Sequence, residues 1–279
     1  MKTDVCDCEW KGAAEKGEAS AQYVMGNFCI AKENGEAEAF HWYMLAAKQG
    51  HARAQHAVGD CYACAIGVQE DWKKAYQWYL SSAQNGYAAA QFEVAECLAT
   101  GTGVQKNMEK ALQWYLRSAQ GGNAEGQVAL GILYEEGTAV PQNYAEAFKW
   151  YSFAAEQGDW GGQYNLGCMY LEGKGTVKDY ESAFALFSLA AEQECSEAVT
   201  NLGYCYEKGY GTPQNYEIAA ELYLLAANRG DATAAFNLGE CYEQGKGVEK
   251  NLQKAAEWYR FAAERGDEEA KKKCGNLPQ

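Results

Sequence analysis

The stretch AEGQVALGILYEEGTAVPQNYAEAFKWYSFAAEQG, residues 124–158, contains one whole folding unit. Its first half, Ala124 to Glu136, places apolar residues at Val128, Leu130, Ile132, Leu133 and Tyr134. Its second, Tyr144 to Glu156, places them at Ala147, Trp150, Tyr151, Ala154 and Ala155. Both follow the helical period, so the unit predicts two amphipathic helices joined by a glycine-bearing loop. Gly158 closes the second helix, where the missing side chain permits the left-handed backbone of a C-terminal cap.

Outward from this unit the pattern recurs at a step of 36 residues. A small residue marks the first helix at Gly59, Ala95, Gly131, Gly167, Gly203 and Gly239. An aromatic or apolar pair marks the second at Trp42-Tyr43, Trp78-Tyr79, Trp114-Tyr115, Trp150-Tyr151, Leu186-Phe187, Leu222-Tyr223 and Trp258-Tyr259. Ala39, Ala75, Ala111, Ala147, Ala183, Ala219 and Ala255 precede the pairs by three residues, as expected where two helix backbones approach closely. The cap recurs at Gly50, Gly86, Gly122, Gly230 and Gly266, with Glu194 in place of glycine in the fifth unit.

Such a unit cannot bury its apolar face alone, so the copies must stack. The expected fold is all-α: a right-handed α/α superhelical solenoid of about seven 36-residue helix-loop-helix repeats, about sixteen helices, with a half repeat at each end. The units fall at approximately 18–50, 51–86, 87–122, 123–158, 159–194, 195–230 and 231–266. A half unit at 4–17 and a capping helix at 267–275, with Lys271, Lys272 and Lys273 on its polar face, complete a single domain over 1–279.

The loops read GTGV from Gly101, GKGTV from Gly173, GYGTP from Gly209 and GKGV from Gly245. None ends in the Gly-Lys-Ser/Thr of a phosphate loop, and repetition marks them as structural turns. Together, the Leu-Gly anchor, the Gly-x-Gly-Val loop, the Ala-x-x-Trp-Tyr-x-x-Ala-Ala second helix and the 36-residue step resemble the Sel-one-like repeat family, a branch of the tetratricopeptide-like solenoids. The resemblance spans about residues 4–275.

That resemblance implies that the first helices line a concave groove. Candidate peptide-binding residues are then Asn165, Asn201 and Asn237, two before the anchor, with the aromatics Tyr164, Phe236 and Phe92 three before it. Tyr23 and His56 share the aromatic position. A carboxamide offers donor and acceptor to an extended backbone without reading its side chains, and neighbouring rings offer rigid apolar contact. The same asparagines serve equally well as ties between adjacent helices. Around the groove's far side Asp60, Glu96, Glu135, Glu136, Glu172, Glu207, Glu240 and Glu243 face little more than Lys208 and Arg53, so Glu207 and Glu243 are read as steering charges or as part of a solvated acidic face.

The whole chain carries 24 basic and 38 acidic residues, a net charge of −14. That balance disfavours nucleic acid, which needs a clustered basic footprint, and points to a protein or peptide partner of basic or neutral character. No stretch has the roughly 18 apolar residues of a membrane span, and the opening MKTDVCDCEW lacks the apolar run of a secretory signal. The expectation is a cytoplasmic monomer without membrane insertion.

The eleven cysteines follow the core register and not a bridging plan. Cys61, Cys97, Cys205 and Cys241 share one position, where Phe28, Leu133 and Met169 stand in other units, which favours packed, reduced thiols. Cys61-x-x-Cys64 lies at a helix C-terminal end, where the dipole favours the protonated thiol. Cys6-x-Cys8 reads as an incidental pair, and His51 and His56, five apart, do not form a metal pair on one helix face. No catalytic, cofactor-binding or metal-ligating set emerges. Some relatives carry a β-lactamase-like or penicillin-binding label, but this sequence has neither Ser-x-x-Lys nor Lys-Thr-Gly. The expected function is therefore non-enzymatic: an interaction scaffold holding an extended segment of a partner in its groove. A hydrolase and a subunit that docks through its ends are the alternatives.

Overall fold

The computed structural model describes residues 4–274, with side chains from Trp10 onward. The described residues form sixteen α-helices and no strand. They divide into two compact units, unit 1 over 4–142 and unit 2 over 143–274. Unit 1 holds α1 (Asp4–Glu15), α2 (Ala19–Ile30), α3 (Glu36–Lys48), α4 (Ala52–Ala63), α5 (Trp72–Gln84), α6 (Ala88–Thr100), α7 (Met108–Gln120) and α8 (Ala124–Glu136). Unit 2 holds α9 (Tyr144–Glu156), α10 (Trp160–Glu172), α11 (Tyr180–Glu192), α12 (Ser196–Lys208), α13 (Tyr216–Asn228), α14 (Ala232–Gln244), α15 (Leu252–Glu264) and α16 (Glu268–Cys274). Within each unit every helix packs on the next in the chain, so contacts are local and each repeat supports its neighbours.

The two columns that define the repeat meet face to face. The anchor glycine of a first helix lies under the aromatic ring of the following second helix, Gly203 under Tyr223 and Gly239 under Tyr259. A Cβ on either glycine would come 2.7 Å from its ring. Tyr223, Tyr259 and Phe187 are fully buried, as are Ala183, Ala219 and Ala255 beside them. Ala fits at Ala95, which is also fully buried.

Asp or Asn caps most second helices through its side chain, for example Asn215 to the amides of Glu217 and Ile218 at 2.9 and 3.1 Å. The first helices α6, α8, α10, α12 and α14 end on left-handed glycines, φ +73° at Gly209 and Gly245, which satisfies carbonyls the helix leaves open. The second loop glycine has another task. A Cβ on Gly211 would fall inside contact distance of the Tyr180 carbonyl oxygen, and Gly175 and Gly247 meet Tyr144 and Tyr216 in the same way. The Gly-x-Gly loop thus seats each repeat on the first turn of the preceding second helix.

Glu194 sits at a cap position with φ +67°, where Gly158 has +82° and Gly230 +99°. A non-glycine residue held there costs about 1–3 kcal/mol. Glu194→Gly is therefore expected to raise the unfolding free energy by about 1 kcal/mol, read from urea denaturation, and a lower stability would mean that the glutamate is held by contacts outweighing the strain.

Candidate functional site

The first helices of unit 2 form a mixed polar and aromatic cleft of about 560 Å3. Asn201 and Asn237 enter it from α12 and α14, joined by Tyr204, Thr200 and Thr233, while Tyr180, Tyr210, Glu172 and Lys178 form its rim. Tyr180 and Tyr210 stack in parallel with centroids 4.0 Å apart, and Tyr204 meets Tyr210 edge-on at 5.9 Å. Lys208 lies 5.3 Å from the centre of the Tyr204 ring. The Asn201 amide donates to the Cys168 sulfur at 3.6 Å, a weak bond that leaves its carbonyl oxygen open. Asn165 is not among the lining residues, and its amide donates to the Gly161 carbonyl of its own helix at 2.9 Å.

The aromatic column packs against the rings of the second helices. Tyr164 packs on Phe187 at 6.1 Å, Phe236 on Tyr259 at 5.4 Å and, in unit 1, Phe92 on Tyr115 at 6.1 Å. Each is half-buried and fills space between the two helices of its own repeat. The two glutamates have local partners as well. Glu207 accepts the Tyr223 hydroxyl at 2.9 Å and pairs with Lys208 at 2.6 Å. Glu243 accepts the Tyr259 hydroxyl at 2.7 Å and pairs with Lys273 at 2.6 Å. The Lys273 and Tyr259 bonds hold the Glu243 carboxyl below the usual carboxylate range.

In unit 1 the matching face is acidic. Asp60 accepts the Tyr79 hydroxyl at 2.9 Å and faces His56 Nδ1 at 3.0 Å, and Glu96 accepts the Tyr115 hydroxyl. Glu93 occupies the asparagine position of the repeat. Burial pushes its carboxyl up to about 7, with Asp60, Glu125 and Glu96 adding to the shift and His56 offsetting part of it. Its folded value thus lies above the unfolded one, so the native state binds the extra proton and loses stability as pH rises from about 4.5 through 7. Glu93→Gln is expected to leave the melting temperature unchanged at pH 4 and to raise it at pH 8, and an advantage independent of pH would contradict this assignment.

The cysteines keep to the core. Cys61, Cys97, Cys205 and Cys241 are buried, and burial pushes their thiols up to about 12, 11, 11 and 11. Cys64 is exposed as the C-cap of α4, and the side chains of Cys6 and Cys8 lie outside the described residues. Among the described residues no three His, Cys, Asp or Glu side chains are grouped to share a metal ion, and no helix is long and apolar enough to cross a membrane.

One recurring element escaped the reading of the sequence. Buried and half-buried glutamines near the start of the first helices reach back eight residues to the end of the preceding second helix. Gln22 donates to Ala14 at 3.1 Å, Gln55 to Ala47 at 3.2 Å and Gln91 to Ala83 at 3.2 Å. Asn85 then donates to Gln55 at 2.9 Å, and in unit 2 Gln193 donates to Gln163 at 2.9 Å. The signal was available as glutamine at the repeat step, Gln55, Gln91, Gln127 and Gln163.

Comparison with known proteins places these features. The Sel1 repeat model matches at 19–51, 52–87, 88–123, 124–159, 161–195, 196–231 and 232–267. The structure is similar to c5321, a protective antigen present in uropathogenic Escherichia coli strains, with a TM-score of 0.79 and 31% identity over 96% of this chain. This chain spans 58% of that protein's length. A Sel1 repeat protein from Oxalobacter formigenes has a TM-score of 0.77 and 33% identity, covering 86% of this chain and 96% of its own. The Cut9–Hcn1 hetero-tetramer of APC/C shares the fold at 14% identity and a TM-score of 0.58, over 94% of this chain and 52% of that one. No curated protein matches the chain.

Proposed function

Since the chain belongs to the Sel1 repeat family of helical solenoids, we propose that it is a non-enzymatic interaction scaffold that holds an extended segment of a partner protein against the first helices of unit 2. The observation that carries this reading is the convergence of the Asn201 and Asn237 amides with three tyrosine rings in one cleft of about 560 Å3. Amides pair with a peptide backbone, and the rings supply apolar contact at small entropic cost. The net charge of −14 favours a segment bearing positive charge, while at the rim Glu172 is balanced by Lys178 and pairs with Lys174 at 2.7 Å. Asn165, Tyr164 and Phe236 support the lining helices, Phe92 packs on Tyr115 in unit 1 apart from this cleft, and Glu207 and Glu243 contribute to the field from their tyrosine-bonded positions.

The test separates pairing from steering. With a partner segment recovered from native lysate, Asn201→Ala is expected mainly to speed dissociation, at about 1–3 kcal/mol for a backbone group left unpaired. Glu172→Lys is expected to slow association and flatten its salt dependence, because exposed charge is screened within about 10 Å at 0.1 M salt. Binding of that segment indifferent to both substitutions would remove the cleft from the account.

A further inference from the structure

A repeat array supplies its own reference, because each position can be compared with the same position in the other copies. In unit 2 three departures from that reference meet in one place. Trp160 stands where the other repeats have Ala52, Ala88, Ala124, Ser196 and Ala232, and half of its surface is in water. Glu194 stands where they have glycine and holds φ +67°. Cys195 stands where Asn123, Asp159 and Asp231 cap their helices, and α12 has no side-chain cap. All three line a second cleft of about 440 Å3, between the turns that lead into α10, α12 and α14. It shares no lining residue with the Asn201–Asn237 cleft.

Each departure works against the fold. Half of the indole is left in water, and it has no ring or cation partner among the described residues. The glutamate strains the backbone, and the cysteine forgoes a cap. Rules of local consistency are broken in this way where a binding site requires it.

The chemistry of the lining selects the ligand. Three carboxylates, Glu194, Glu197 and Asp231, face one guanidinium, Arg229, so the cleft favours a cation. Asp231 is already engaged by the Ala234 amide at 2.8 Å and the Thr200 hydroxyl at 3.0 Å. Glu197 accepts only the Cys195 thiol at 3.5 Å, and Glu194 has no side-chain hydrogen bond or ion pair among the described residues. The free acceptors and the open indole face therefore belong to Glu194, Glu197 and Trp160. We propose that this cleft receives an arginine side chain presented by a partner protein, the guanidinium stacking on Trp160 while its N–H groups donate to Glu197 and Glu194. A planar, weakly hydrated cation with a fork of donors satisfies a ring and two carboxylates together, which the compact ammonium of lysine does less well. This is a docking point on the turn side of unit 2, additional to the first-helix cleft.

The test uses the full chain, isotopically labelled for NMR, and two peptides: acetyl-Gly-Arg-Gly-amide and its neutral citrulline counterpart. The arginine peptide is expected to shift the Trp160 indole N–H and the backbone amides of Glu194, Glu197 and Arg229 saturably, and the citrulline peptide to bind at least about tenfold more weakly. Trp160→Ala and Glu197→Gln should each weaken the arginine peptide about tenfold, with the thermal midpoint unchanged. Equal shifts from both peptides, or shifts confined to other residues, would overturn the proposal. A Trp160→Ala chain that melts far below the parent would overturn it too, since the indole would then be a packing residue.

Discussion

Tyr223→Ala is expected to destabilise unit 2 by about 3–5 kcal/mol, the range for truncating a large aromatic side chain in a packed core. Tyr223 is fully buried, its ring covers the backbone at Gly203, and its hydroxyl donates to Glu207 at 2.9 Å. Removing the ring leaves a cavity that the neighbouring helices cannot close, because Ala219 and Ala226 beside it are already at full burial. Tyr223→Phe keeps the ring and loses one hydrogen bond, so it should cost only about 1 kcal/mol. Nearest-neighbour contacts carry the stability of such stacks, so the melt of the alanine variant should broaden as well as shift. A Tyr223→Ala chain that unfolds in one transition at the parental midpoint would show that the ring column does not hold the repeats together.

Gly211→Ala carries the second large effect, about 3 kcal/mol, and it tests the loops instead of the core. Two penalties act at once. Gly211 has φ +68°, where a side chain costs about 1–2 kcal/mol, and its new methyl group would press on the Tyr180 carbonyl and on the Phe184 Cβ, which lies 2.8 Å from the ideal Cβ position. Overpacking against backbone adds about 1–3 kcal/mol. The array contains its own partial control, since Ala139 takes the equivalent position in unit 1 with φ +62°. Hydrogen exchange should locate the loss in α11 and α12, and exchange unchanged there would mean that the loop does not seat one repeat on the next.

The fold was legible because its determinants are periodic and local. Helices expected at Ala124 to Glu136 and Tyr144 to Glu156 are α8 and α9 with the same ends, and the expected cap glycines carry left-handed backbone, as does Glu194. The thiols at Cys61, Cys97, Cys205 and Cys241 lie in the core because their register is that of the apolar positions.

The candidate site was legible only in part. Asn201 and Asn237 come together, but Asn165 turns back to its own helix, and spacing alone does not reveal a rotamer. Tyr204 and Tyr210 escaped notice because they do not recur, whereas Tyr180 recurs as Tyr144 and Tyr216 and reads as an element of the fold. Tyr204 stands where the neighbouring repeats have Cys168 and Glu240, and Tyr210 fills the free position of a Gly-x-Gly loop. The commitments of Glu207 and Glu243 to tyrosine hydroxyls depend on helix-to-helix geometry, which charge counting does not contain. Repetition reports what the fold needs, and the residues that break it report what one particular repeat is for.

The most direct measurement is site-specific photocrosslinking in native lysate. Thr233→benzoylphenylalanine places the reagent in the first-helix cleft, and Leu225→benzoylphenylalanine places it on an exposed position of α13 that does not line the cleft. The account predicts a defined partner adduct from position 233 that is absent from position 225. It also predicts loss of that adduct when Asn201→Ala and Asn237→Ala are introduced, with helical content and melting unchanged. An adduct that forms equally from both positions, or that survives the double substitution, would contradict the claim that this cleft holds the partner.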